Sequence, residues 1–134
     1  MSMPGGLVHF ISRAAIAALF FVAFAGKVMA YDFLVGLSGK LGIPFAAYLM
    51  PVAMAFDLLG GLALLFNRKV WLVSLLLAAY VAFVTPFFHF NWAAAPDAYQ
   101  EAVNVFENLA VIGGLLALYL LDPSRPEKWK QAGL

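Results

Sequence analysis

Four long runs of apolar residues, separated by short polar breaks, organise this chain: Leu7–Met29, Ile43–Phe66, Trp71–Phe90 and Val103–Leu121. A helix rises 1.5 Å per residue, so about 20 apolar residues cross the hydrocarbon core of a bilayer. Each run meets that length by itself. Alternating ten-residue blocks are absent from the sequence, which excludes an outer-membrane barrel. The pattern predicts an all-α integral membrane four-helix bundle in residues 1–121, followed by a basic tail in residues 122–134.

The breaks support this division. Gly42-Ile43-Pro44 opens the second run, Asn67-Arg68-Lys69 makes a short polar turn, and Asp122-Pro123-Ser124 ends the fourth run. Residues 91–97 form the third connection. Trp71, Trp92, Trp129, Tyr31, Tyr99 and Tyr119 sit at or beyond the ends of the runs, as an interfacial aromatic belt requires. Arg13, Ala14–Phe24 and the triplet Ala23-Phe24-Ala25 have the outline of a cleavable signal. Because the segment is present in the chain, it is read as the first helix. Tyr31–Gly42 is too short to span. It is either a short interfacial helix presenting Phe33, Leu34, Leu37 and Leu41, or a glycine-rich loop.

Composition agrees with the pattern. Residues are 65% hydrophobic and 11% charged, with a mean hydropathy of +0.93, where a soluble domain is about half apolar and a quarter charged. That balance excludes a soluble enzyme, and a net charge of +1 argues against a nucleic-acid partner. The chain has no cysteine, hence no disulfide, thiolate metal site, iron–sulfur cluster or CxxC pair. No metal site and no covalent cofactor are expected. Charge also orients the bundle. Arg68, Lys69, Arg125, Lys128 and Lys130 share one side with both termini, with Arg13 near its edge. The positive-inside rule then places both termini in the cytoplasm, and the expected location is a bacterial inner membrane.

Charges within the runs carry the functional information, because burying them in lipid costs several kcal/mol. Arg13 lies about 9 Å and Asp57 about 14 Å from the same edge by helix rise, which predicts an intramembrane Arg13–Asp57 ion pair. Near the opposite edge lie Lys27, His89, Asn104, Glu107 and Asn108, the candidate ligand site. Asn104, Glu107 and Asn108 follow i, i+3, i+4 spacing, and Glu107 is the expected partner of His89 or of Lys27.

These residues resemble the DoxX family of small four-span membrane proteins. The resemblance rests on Arg13, Ala25-Gly26-Lys27, the Gly-Ile-Pro entry, Asp57-Leu58-Leu59-Gly60-Gly61, Phe88-His89-Phe90, Glu107-Asn108-Leu109-Ala110 and Gly113-Gly114, over roughly residues 10–121. The family usually carries glutamate where Asp57 stands, and often lysine where Glu107 stands. Some members are associated with thiosulfate:quinone oxidoreductase, others with oxidative-stress complexes, and many have no assigned activity, so the resemblance implies redox or quinone-linked work as an expectation.

Three functions follow as expectations. The first is a quinone-reactive membrane subunit of an oxidoreductase. Lys27, His89 and Asn108 would donate to quinone carbonyls, and His89 would relay a proton with Glu107. Such a subunit works with a partner redox protein, within a larger membrane complex or as a homo-oligomer. The second is a non-catalytic scaffold or anchor for a partner complex, its basic tail docked on anionic headgroups. The third, a small-anion transporter, has little support, since no internal repeat is visible.

Overall fold

The computed structural model describes residues 6–89 and 96–133. Its helices, in chain order, are α1 (Gly6–Met29), α2 (Tyr31–Lys40), α3 (Ala46–Leu65), α4 (Val70–His89), α5 (Ala98–Leu121) and α6 (Glu127–Gln131). Four of them, α1, α3, α4 and α5, are long and apolar enough to cross a membrane. The architecture is all-helical, as the periodicity predicted. Large apolar side chains such as Val22, Leu59, Phe83 and Leu121 face outward, which suits a protein solvated by lipid tails.

The ends of the elements differ from the sequence reading for local reasons. The second span begins at Ala46 rather than Ile43, because Gly42 (φ 85°) and Phe45 (φ 54°) take left-handed backbone first. This leaves Pro44 in the preceding turn. The fourth span begins at Ala98, five residues before Val103. Asp97 caps it by accepting the Gln100 amide at 3.1 Å, and the polar first turn then continues the helix beyond the apolar stretch. The Tyr31–Gly42 segment is the short helix, not the loop. The tail folds into α6. The expected end of the third span at Phe90, and the connection containing Trp92, lie outside the described residues.

Packing divides the bundle into two antiparallel hairpins. Helix α1 lies along α3, with α2 bridging them, and α4 lies along α5. Pro51 removes the amide that would bond the Ala47 carbonyl within α3. The Tyr31 hydroxyl donates to that carbonyl at 3.3 Å, fastening α2 to the break. On the other hairpin, the Trp71 amide at the start of α4 donates to Asp122 Oδ2 at 2.7 Å, so the end of α5 caps α4. The hairpins meet at Gly60, while Gly61 faces the neighbour within its own hairpin. A Cβ on Gly60 would stand 2.7 Å from Leu77 on α4, and one on Gly61 2.7 Å from Phe21 on α1. Adjacent glycines therefore let α3 approach a different neighbour on each side. Ala17, Phe20, Leu64, Leu77, Leu115 and Leu118 fill the interior beside this contact.

Candidate functional site

Antiparallel register decides which charges meet. Phe21 sits opposite Gly61. Six residues on from Phe21 to Lys27 rise about 9 Å, and four back from Gly61 to Asp57 rise about 6 Å in the same direction. The two side chains are therefore almost level. Lys27 Nζ donates to Asp57 Oδ2 at 2.7 Å. Asp57 is 1% exposed, while the Lys27 side chain retains 20%.

The expected Arg13–Asp57 pair is not made. Arg13 lies eight residues the other way from Phe21, which puts it about 18 Å from Asp57 along the helices. The ends of the apolar runs do not lie in one plane, because α1 overhangs the end of α3 by about two turns. Arg13 instead donates from Nη1 to the carbonyls of Leu64 at 2.8 Å and Leu65 at 3.3 Å. These are the last carbonyls of α3, beyond the reach of the helix's own amides, and Leu64 also accepts the Asn67 amide of the following turn at 3.2 Å; the guanidinium thus adds to the C-terminal cap.

The expected cluster at the other end is rearranged as well. His89 Nδ1 meets Glu101 Oε2 at 2.8 Å, not Glu107. Asn108 Nδ2 donates to Thr85 Oγ1 at 3.0 Å, and Thr85 donates in turn to the Val81 carbonyl at 2.6 Å. Asn104 accepts from Gln100 Nε2 on its own helix at 3.0 Å. Glu107 is exposed and lines a separate shallow hollow with Tyr99, Phe106 and Ala110. It pairs with neither Lys27 nor His89. Helix geometry explains the change of partner. At 100° per residue Glu107 stands 100° from Asn108, whereas Glu101, seven residues before Asn108, stands only 20° away. Placing the helix start at Val103 hid Glu101 from the sequence reading.

The two hairpins enclose a cavity of about 820 Å³ with mostly apolar walls. Lys27, Asp57, Tyr80, His89 and Asn108 are among its lining residues. Tyr80 was missed in the sequence, although its depth was a signal: it is a hydroxyl ten residues inside α4. It stands beside the Asp57 carboxylate, whose Oδ1 is buried with no hydrogen-bond partner among the described residues. Leu19, Val52, Leu76 and Phe83 also line the cavity and are exposed on the outer surface. The cavity thus opens sideways, toward the region that lipid tails occupy. Of the sequence candidates, Lys27, His89, Asn108 and Asp57 share this space; Arg13, Asn104 and Glu107 do not line it.

The DoxX family profile matches residues 8–90, which hold Arg13, Lys27, Asp57, Tyr80 and His89. The chain belongs to the DoxX family. This DoxX-family integral membrane protein is also similar to the inner membrane protein YqjF of Escherichia coli (strain K12). The two are 28% identical over 116 residues, covering 84% of this chain and 82% of that protein. No solved structure matches it significantly.

Proposed function

We propose that this DoxX protein binds the head group of a quinone in the cavity between its two hairpins, as the membrane subunit of a quinone-linked redox system. The observation that carries this reading is the cavity itself. Its volume of about 820 Å³ falls in the range of cofactor sites, its walls are apolar, and its few polar groups are donors or proton carriers. Lys27 uses one N–H on Asp57, which leaves two for carbonyl oxygens of a ligand. His89, with Nδ1 engaged by Glu101, presents Nε2 as its remaining ring nitrogen, so Glu101 replaces Glu107 as the relay partner. The sideways opening admits a lipid-soluble molecule without passage through water. The protein would reside in a bacterial inner membrane with both termini in the cytoplasm. Arg68, Lys69, Arg125, Lys128 and Lys130 at that end support the orientation. No covalent cofactor is required, and electrons would pass to or from a partner redox protein.

A photoactivatable quinone analogue tests the proposal in purified protein. Labelling should fall on α3 and α4 and be competed by unmodified quinone. Lys27→Met and His89→Ala should each weaken binding about tenfold, the loss of one charge-assisted hydrogen bond. Glu107→Ala should leave binding unchanged. Absent labelling, or equal loss in all three variants, would overturn the reading in favour of a scaffold.

A further inference from the structure

We propose, resting on the quinone reading above, that Asp57 is the positioning and specificity-determining residue of the cavity between the hairpins. Without touching the ligand, it turns the Lys27 ammonium inward and cancels its charge. The site then takes an uncharged carbonyl compound rather than an anionic amphiphile.

Left to itself, Lys27 would point the other way. It stands two residues before the end of α1 at Met29, about 3 Å by helix rise. A lysine this close to a helix end lays its stem along apolar surface and sends its ammonium out to the headgroup layer. Here the ammonium donates instead to Asp57 Oδ2 at 2.7 Å. Asp57 lies well inside α3, about 17 Å from its start at Ala46. By the register set at Phe21 and Gly61, it is about 3 Å deeper in the bundle than Lys27. A hydrogen bond between two ionised groups is roughly twice as strong as a neutral one, and it holds the lysine against its outward tendency.

The carboxylate is placed to hold the lysine and not to meet a ligand. It is 1% exposed, Lys27 takes Oδ2, and Oδ1 is buried, so both oxygens are closed to anything in the cavity. Its neighbours fix it on two sides. Tyr80 of α4 stands beside it, with the Tyr80 ring packed on Phe56 at a centroid distance of 5.4 Å. One turn along α3, Gly60 admits Leu77 of α4 and Gly61 admits Phe21 of α1, drawing both helices close to Asp57. The Lys27 side chain, by contrast, keeps 20% exposure and lines the cavity. What Asp57 orients is therefore what the ligand meets.

Charge follows from the same contact. Lys27 and Asp57 sum to zero, and His89, elsewhere on the lining, is engaged by Glu101. A quinone carbonyl accepts a free N–H of Lys27 without disturbing that balance. A carboxylate ligand would set a second negative charge close to Asp57 between apolar walls, where repulsion is poorly screened.

The test uses the full chain in micelles and reads two quantities. The first, taken without ligand, is the rate at which a water-soluble succinimidyl ester acylates Lys27, resolved by peptide mass spectrometry. Asp57→Asn should raise that rate about tenfold. Asp57→Glu, which keeps the charge, should raise it far less, and Lys40, exposed at the end of α2, should react alike in every variant. The second is ligand choice. The parent should bind decylbenzoquinone in preference to dodecanoate. Asp57→Asn should lose about tenfold in affinity for the quinone and gain about tenfold for dodecanoate, whose carboxylate replaces the missing counter-charge. Where Asp57→Asn does not fold, Asp57→Glu against Asp57→Gln, alike in size and different in charge, carries the same comparison. Unchanged acylation of Lys27 in the uncharged variant, or equal binding of both ligands by the parent, would overturn the proposal. Failure of the parent to bind quinone, with Lys27 acylation still raised in Asp57→Asn, would overturn the quinone reading and leave Asp57 as the residue that holds Lys27.

Discussion

Replacing Lys27 by methionine removes the charge partner of a carboxylate that is 1% exposed. Asp57 must then stay ionised without a counter-charge or take up a proton, and the second course is the cheaper. Protonating a carboxyl with an ordinary pKa near 3.9 at pH 7 costs about 4 kcal/mol, at 1.36 kcal/mol per unit. Broken buried pairs cost about 3–5 kcal/mol, which agrees. Lys27→Met should therefore lose about 3–4 kcal/mol at neutral pH. The loss should shrink by about 1.4 kcal/mol for each unit of acidification and vanish near pH 4. Asp57→Asn should cost only about 1 kcal/mol, because the partly exposed ammonium can turn away to a wetter position. The double variant Lys27→Met/Asp57→Leu should return close to the parent. Unfolding followed by helical circular dichroism in micelles, between about pH 4.5 and 7.5, measures all of these. A pH-independent loss in Lys27→Met, or an equal loss in Asp57→Asn, would refute the argument.

Other expectations follow from the packing and the caps. Arg13→Gln should cost about 1–3 kcal/mol of unfolding free energy by uncapping α3, with its last turn fraying first in hydrogen exchange. Gly61→Leu should separate α1 from α3, where a Cβ already meets Phe21 at 2.7 Å, and lower the unfolding temperature. Gly113→Ala, in open space, should stabilise α5 by about 0.5–1 kcal/mol. At Asp122, burial pushes the carboxyl up, but bonds from Ser124 and the Trp71 amide, with the field of His9, outweigh it and hold the group below its ordinary 3.8. A lowered folded pKa gives stability that is present at neutral pH and lost as pH falls through and below 3.8. Asp122→Asn should lower neutral stability and flatten the acid limb of the unfolding curve.

The spans were legible because hydropathy acts residue by residue, and four runs of sufficient length leave few alternatives. Of the candidate ligand residues, Lys27, His89 and Asn108 line one cavity, Asn104 and Glu107 do not, and Asp57, expected in the opposite layer, joins them. The pairings were not legible, for two physical reasons. Depth counted from the end of an apolar run assumes that all helices end in one plane, and the overhang of α1 breaks that assumption, sending Arg13 to the α3 carbonyls and Lys27 to Asp57. A helix can also extend past the apolar stretch that reveals it. The turn from Ala98 to Ala102 is polar enough to read as a loop, yet it carries Glu101 to His89. Tyr80 was overlooked for a different reason: a tyrosine within an apolar run reads as packing until a neighbouring helix brings a carboxylate to it.

Each interhelical hydrogen bond described above stays within one hairpin. Lys27 to Asp57, Arg13 to the end of α3 and Tyr31 to Ala47 close the first, and His89 to Glu101, Asn108 to Thr85 and Trp71 to Asp122 close the second. Biogenesis inherits this division. The first half can satisfy its half-buried lysine and buried aspartate as soon as it has entered the bilayer, before the second half has been synthesised. The later union then brings one greasy surface against another, with Tyr80 on α4 reaching Asp57 on α3 across the joint.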